Sequence, residues 1–237
     1  MSDSLVILLI TTASVSFLHT VMGPDHYLPF IVMSRSGKWP HKKTFLVTTI
    51  CGLAHVFSSV LLAAVIIGFG LTVVNLEFIE SARSDIAGWL LISFGFVYMI
   101  WGIKRVYKNK DHLHTHHHLN GKSHAHEHKH IGDHAHVHEE TDPKNITPWV
   151  LFVIFILGPC EPLIPLLMYP AMENNLIGTI LVILVFTLIT LATMIVIITI
   201  SFYSIKRLPF KTLEHWTPAF AGLTIFLCGF AIQFLGL

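Results

Sequence analysis

Apolar residues in this chain neither alternate with polar ones nor keep to a single stripe. They fall in six long blocks: Leu5 to Met33, Phe45 to Leu76, Ile86 to Ile103, Trp149 to Met172, Leu176 to Phe202 and Trp216 to Leu237. At about 1.5 Å rise per residue, about 20 apolar residues cross the roughly 30 Å hydrocarbon core as a helix. With no water in that core the backbone must satisfy its own N–H and C=O groups, so the blocks read as transmembrane helices. The pattern predicts an all-α, polytopic membrane protein with six transmembrane helices in one body. Two blocks are interrupted by a Gly-Pro pair, Gly23-Pro24 in the first and Gly158-Pro159 in the fourth. Proline removes a backbone donor and clashes with the preceding turn, and the glycine beside it relaxes the chain. The first and fourth helices are therefore expected to be broken near mid-depth, where irregular backbone must be buried in protein or line a cavity.

The two halves repeat. At an offset of 135 residues Gly23-Pro24 falls on Gly158-Pro159, Leu28 on Leu163 and Met33 on Met168. At an offset of 134, Ala87-Gly88 falls on Ala221-Gly222, Gly95-Phe96 on Gly229-Phe230 and Gly102 on Gly236. Small residues recur wherever membrane helices pack closely, but a near-constant offset argues for duplication. Three helices per copy start the second copy on the opposite side of the membrane, a 3+3 inverted repeat. The chain then divides into a first three-helix repeat over 1–107, a His-rich loop over 108–147 and a second repeat over 148–237.

Composition agrees: 53% of residues are hydrophobic, 12% are charged and the mean hydropathy is +0.67, where a soluble domain carries about 25% charge. Lys and Arg crowd the first loop (Arg35, Lys38, Lys42, Lys43), the third (seven from Lys104 to Lys144) and the fifth (Lys206, Arg207, Lys211), while the second has Arg83 alone and the fourth none. By the positive-inside rule both termini lie outside and the His-rich loop is cytoplasmic. The first block lacks a basic leader and carries polar chemistry, so it is read as a helix rather than a signal peptide. A net charge of +1 gives no reason to expect nucleic acid. Cys51, Cys160 and Cys228 all fall in apolar blocks, which implies no disulfide framework; Cys51 and Cys228 read as packing residues.

Asp25 and Glu161 read as the only acidic residues deep inside the blocks, and each follows a Gly-Pro break. A charge at the bilayer centre costs about 2.5–3.5 kcal/mol on insertion scales, so it implies a cavity, a partner or a cation. In the run His19 to His26, two histidines nearly two turns apart share a face, and the break can swing Asp25 toward them. His55, in the second block, can add a third imidazole, although a lone core histidine bonded to a carbonyl would look the same; the repeat sets Thr190 opposite it. On the facing repeat stand Cys160 and Glu161, the latter equally readable as a protonated carboxyl or a proton carrier. His19, Asp25, His26, His55, Cys160 and Glu161 are the candidate metal ligands, since imidazole and thiolate suit Ni, Co, Cu and Zn.

Between Asp111 and Glu140 lie twelve of the seventeen histidines: His112, His114, His116, His117, His118, His124, His126, His128, His130, His134, His136 and His138. Such a tract reads as an accessory metal collector, or as a buffer unrelated to the helices.

On these residues the chain resembles the NicO group of nickel and cobalt transporters, which includes exporters and membrane proteins of urease maturation within the LysE-type superfamily. The likeness spans essentially the whole chain, but five residues separate His19 from Asp25 where the group's motif has four. It implies a non-enzymatic carrier in a prokaryotic cytoplasmic (inner) membrane, with no cofactor, transporting Ni2+ or Co2+, with Zn2+ behind them. Efflux by alternating access is the favoured reading, and a homo-oligomer is compatible. The segment Gly158-Pro159-Cys160 to Pro165 also resembles thiol-redox conduits of the cytochrome c biogenesis type, which use a Cys pair, one per repeat; here Asp25 stands opposite Cys160. A third reading, a sulfite or anion exporter of related fold, would place cations at the breaks, and no Lys or Arg falls in the six blocks.

Overall fold

A computed structural model describes residues 3–68, 73–108, 112–117, 123–128, 143–158, 160, 162–173, 175–206 and 215–235. Among the described residues eight α-helices follow in order: α1 (Asp3–Met22), α2 (Leu28–Ser36), α3 (His41–Gly68), α4 (Val73–Lys108), α5 (Pro143–Leu157), α6 (Leu163–Met172), α7 (Leu176–Lys206) and α8 (Thr217–Leu235). Five of them, α1, α3, α4, α7 and α8, are long and apolar enough to cross a membrane, and the chain is a multi-pass membrane protein.

The first and fourth apolar blocks are both split at their Gly-Pro pairs. The first becomes α1, a 3-10 turn over Pro24–His26, and α2; the fourth becomes the shorter helices α5 and α6. The linker between α4 and α5 departs from an all-α expectation. There β1 (His112–His117) and β2 (Ser123–His128) pair antiparallel, with His112 opposite His128, His114 opposite His126 and His116 opposite His124. Backbone pairing needs no apolar core, which is why hydrophobic patterning gave no sign of it.

Packing follows the small residues. Helices α4 and α8 run antiparallel with their backbones almost touching: a Cβ built on Gly222 would stand 2.2 Å from Met99 N, and one on Gly229 2.7 Å from Ile92 N. Gly95 and Gly102 meet Phe226 and Ala219 in the same way. The seven-residue spacing of Gly88, Gly95 and Gly102, matched by Gly222 and Gly229, keeps one glycine edge on the seam over several turns. Helix α1 packs on α7 and α3 on α5. The buried residues of α1 are Thr12, Ser16 and Thr20, one per turn. Each hydroxyl donates to a carbonyl four residues back at 2.8 Å, so none is stranded in the apolar packing.

Candidate functional site

The site is built around the two breaks. At the first, α1 closes with Gly23 N donating to His19 O at 2.9 Å, after which Pro24 supplies no donor. The turn is held by its own residues: His26 N reaches Gly23 O at 3.1 Å, and the Tyr27 hydroxyl donates to Val21 O at 3.2 Å. This folds His26 back toward His19, with ring centroids 4.7 Å apart and nearly perpendicular. The ring of His55, from the middle of α3, has its centroid 5.2 Å from that of His26. One ring nitrogen from each of the three lies within 4.8 Å of those of the other two. His26 and His55 are each only 3% exposed.

Two of the rings are held through Nδ1. His26 Nδ1 lies 3.1 Å from Gly23 O and 3.2 Å from Asp25 Oδ1. His55 Nδ1 lies 3.2 Å from Phe155 O, at the end of α5. Carbonyl and carboxylate oxygens only accept, so both Nδ1 atoms carry a proton, and in the neutral rings both Nε2 atoms carry the lone pair. The Nε2 atoms of His19, His26 and His55 are buried with no hydrogen-bond partner among the described residues.

At the second break the freed carbonyls are met by remote side chains. Arg83 of α4 donates through Nη2 to Ile156 O at 3.0 Å and Gly158 O at 3.1 Å. The same nitrogen reaches Ser58 Oγ at 2.8 Å. Its Nη1 donates to Glu80 Oε1 at 2.6 Å and Ser59 Oγ at 3.3 Å. A guanidinium at the end of α5 also complements the negative end of the helix dipole. Cys160 lies in the non-helical stretch that follows, fully buried beside Val56, Leu163, Val182 and Phe186.

Of the predicted ligands, the structure brings His19, His26 and His55 together and sets Asp25 behind His26. Cys160 is not in that group, and Glu161 lies outside the described residues. Of the loop histidines, His112, His114, His116, His117, His124, His126 and His128 are placed by their strands alone, and the other five lie outside the described residues. Two expectations are corrected. Asp25 and Glu161 are not the only acidic residues deep in the helices, because Glu80 is buried in α4. Nor are the helices free of cations: Arg83 belongs to the membrane-length part of α4, which runs from Phe78 to Tyr107. The charge count assigned Arg83 to a loop because Glu80, Arg83 and Asp85 lower the local hydropathy. The usable signal was the three-residue spacing of Glu80 and Arg83, which puts opposite charges on one helix face.

Helices of membrane length, two broken elements and a buried polar centre between them define a polytopic helical membrane protein with a built internal site. The sequence profile of the cytochrome C biogenesis protein transmembrane region matches residues 28–231, and the chain belongs to that family. The match covers α2 to most of α8 and overturns the NicO assignment, and with it the reading as a nickel, cobalt or zinc transporter. The motif that suggested those transporters is a pair of histidines around a helix break, and that arrangement serves any buried imidazole cluster. Comparison with curated proteins and with solved structures gives no match.

Proposed function

We propose that this protein serves the membrane step of cytochrome c biogenesis as a thiol-exchange protein, with Cys160 as the exchanging thiol. The observation that carries the reading is the family match over 28–231, within which Cys160 is the one cysteine at a helix break. Cys51 and Cys228 lie inside the regular helices α3 and α8, and no disulfide joins any of the three.

A single thiol suffices to relay two electrons. The Cys160 thiolate attacks the disulfide of an oxidised acceptor, forming a mixed disulfide and releasing one acceptor thiolate. A thiolate of a donor dithiol then attacks Cys160 sulfur, displacing the fully reduced acceptor. The second donor thiolate resolves the new mixed disulfide, so the donor leaves oxidised and Cys160 returns as a thiol. Departure from a Cys pair, with Asp25 in place of the first cysteine, sets this chain apart from a self-contained two-thiol conduit.

In the same reading the chain is a six-span 3+3 inverted repeat over 1–107 and 148–237, in the cytoplasmic membrane with both termini outside. The exchange of partners supports it: the first helix of each half packs on the second helix of the other, α1 on α7 and α5 on α3. The third helices, α4 and α8, pack on each other through glycines that correspond at the 134-residue offset.

The test is trapping. In cells treated with a thiol-blocking acid quench, the wild-type chain should run as a mixed-disulfide adduct that reductant removes, and Cys160→Ser should abolish it while Cys51→Ser and Cys228→Ser keep it. Cells lacking the protein should lose covalently bound haem c. Absence of any adduct at Cys160, with haem c unchanged, would sink the reading.

A further inference from the structure

We infer that His19, His26 and His55 form a resident binding site for one divalent late first-row transition-metal ion, of the Co2+ to Zn2+ class, separate from the thiol at Cys160. Three buried Nε2 atoms with no partner among the described residues come from three different places: the end of α1, the 3-10 turn and the middle of α3. Leaving a polar atom unpaired in an apolar interior is destabilising, and three at one point are a standing cost that a bound group removes. What these atoms offer is specific. The partners behind His26 and His55 hold protons on Nδ1, so in the neutral rings the Nε2 lone pairs are left for a ligand, with no donor against them among the described residues. Lone pairs without donors call for a Lewis acid.

The dimensions fit such an ion. From a triangle whose sides are no longer than 4.8 Å, each ring need advance by at most about 0.8 Å to reach metal–nitrogen distances of about 2.0–2.1 Å. His26 stands on Asp25, and a carboxylate behind an imidazole both fixes the ring and raises its basicity as a ligand. Asp25 also brings negative charge beside a dication in a low-dielectric setting. All-imidazole ligation selects borderline ions over the hard Mg2+ and Ca2+, which take oxygen. Three protein ligands leave a fourth position open, as in metal sites that bind an exogenous molecule. The site also abuts the second break, since a Cβ built on Gly158 would stand 3.3 Å from His55 Nδ1. The inference does not depend on thiol exchange, and its test reads metal rather than thiols or haem.

Co2+ and Zn2+ are the probes, and the loop histidines must be removed from the signal. A full-length chain with the twelve histidines between His112 and His138 replaced by Ser, purified untagged in lipid nanodiscs, is titrated with Co2+. One Co2+ per chain should bind with visible d–d absorption, and one equivalent of Zn2+ should displace it. His26→Ala and His55→Ala should each lose at least about 100-fold in affinity, and Asp25→Asn about 10- to 100-fold, because the carboxylate that holds the His26 ring is lost. Should an alanine variant fail to insert, the parent decides: saturating Zn2+ should raise its unfolding midpoint, because an ion that binds only the folded state stabilises it. No uptake and no rise in the parent, or equal uptake by inserted His26→Ala and His55→Ala variants, overturns the site.

Discussion

The two helix breaks begin with the same Gly-Pro pair and are held together in opposite ways. Around Gly23-Pro24 every hydrogen bond that replaces the helix ladder comes from within eight residues: His19 O, Gly23 O and Val21 O are met by Gly23, His26 and Tyr27. Around Gly158-Pro159 the carbonyls of Phe155, Ile156 and Gly158 are met by His55 of α3 and Arg83 of α4, 73 to 100 residues away. The first break is a local turn that presents side chains inward. The second has local backbone bonds as well but is braced by side chains of α3 and α4, so it reports on tertiary structure and can be altered from a distance.

The largest effect should come from Arg83. Replacing it with Ala leaves Glu80 buried without its cation and strips the end of α5, a loss of about 3 kcal/mol or more. Thermal unfolding in detergent should drop sharply, and Arg83→Lys should recover only part, because an ammonium cannot span Glu80, the serines and two carbonyls as a fork does. An unchanged midpoint in Arg83→Ala would mean that the second break is held by something other than α4.

Gly23→Ala should have an intermediate effect. A Cβ there would stand 2.6 Å from His26 Nδ1 and 2.9 Å from Asp25 Oδ1, so both side chains must shift. Overpacking of this kind costs about 1–3 kcal/mol. The sharper readout is Co2+ affinity, which should fall in Gly23→Ala more than global stability does, since the displaced group is His26 itself. Pro159 does not enter this comparison, as it lies outside the described residues.

Tyr27→Phe should be the mildest of the three. It removes one donor from Val21 O, in an exposed position, worth about 0.5–1.5 kcal/mol. A loss much beyond that would show that the first break also leans on remote contacts and would erase the contrast between the two.

Much of the first break was legible because its parts are neighbours in sequence. The run His19 to His26 displays two imidazoles, a carboxylate and a proline within two helical turns, and the structure keeps them together. His55 could be nominated only as an alternative to an ordinary core histidine, since nothing local distinguishes the two. Arg83 was assigned to a loop, because a sliding hydropathy pattern penalises a buried ion pair as heavily as a solvated one. The family assignment went wrong for a related reason. His19, Asp25 and His26 stood out in the sequence, whereas membership rests on the whole run of helices from residue 28 to 231.

The sequence by itself determined that this is a polytopic helical membrane protein and where two of its helices break, because hydrophobic blocks, proline chemistry and backbone hydrogen bonding in lipid act over a few residues at a time. Tertiary structure alone decided that His55 joins His19 and His26, and that Arg83, paired with Glu80, braces the end of α5. Those are contacts between helices far apart in the chain. Their partners are selected by which glycine edges let backbones approach and by which buried polar atoms would otherwise be stranded, and neither quantity exists until the helices meet.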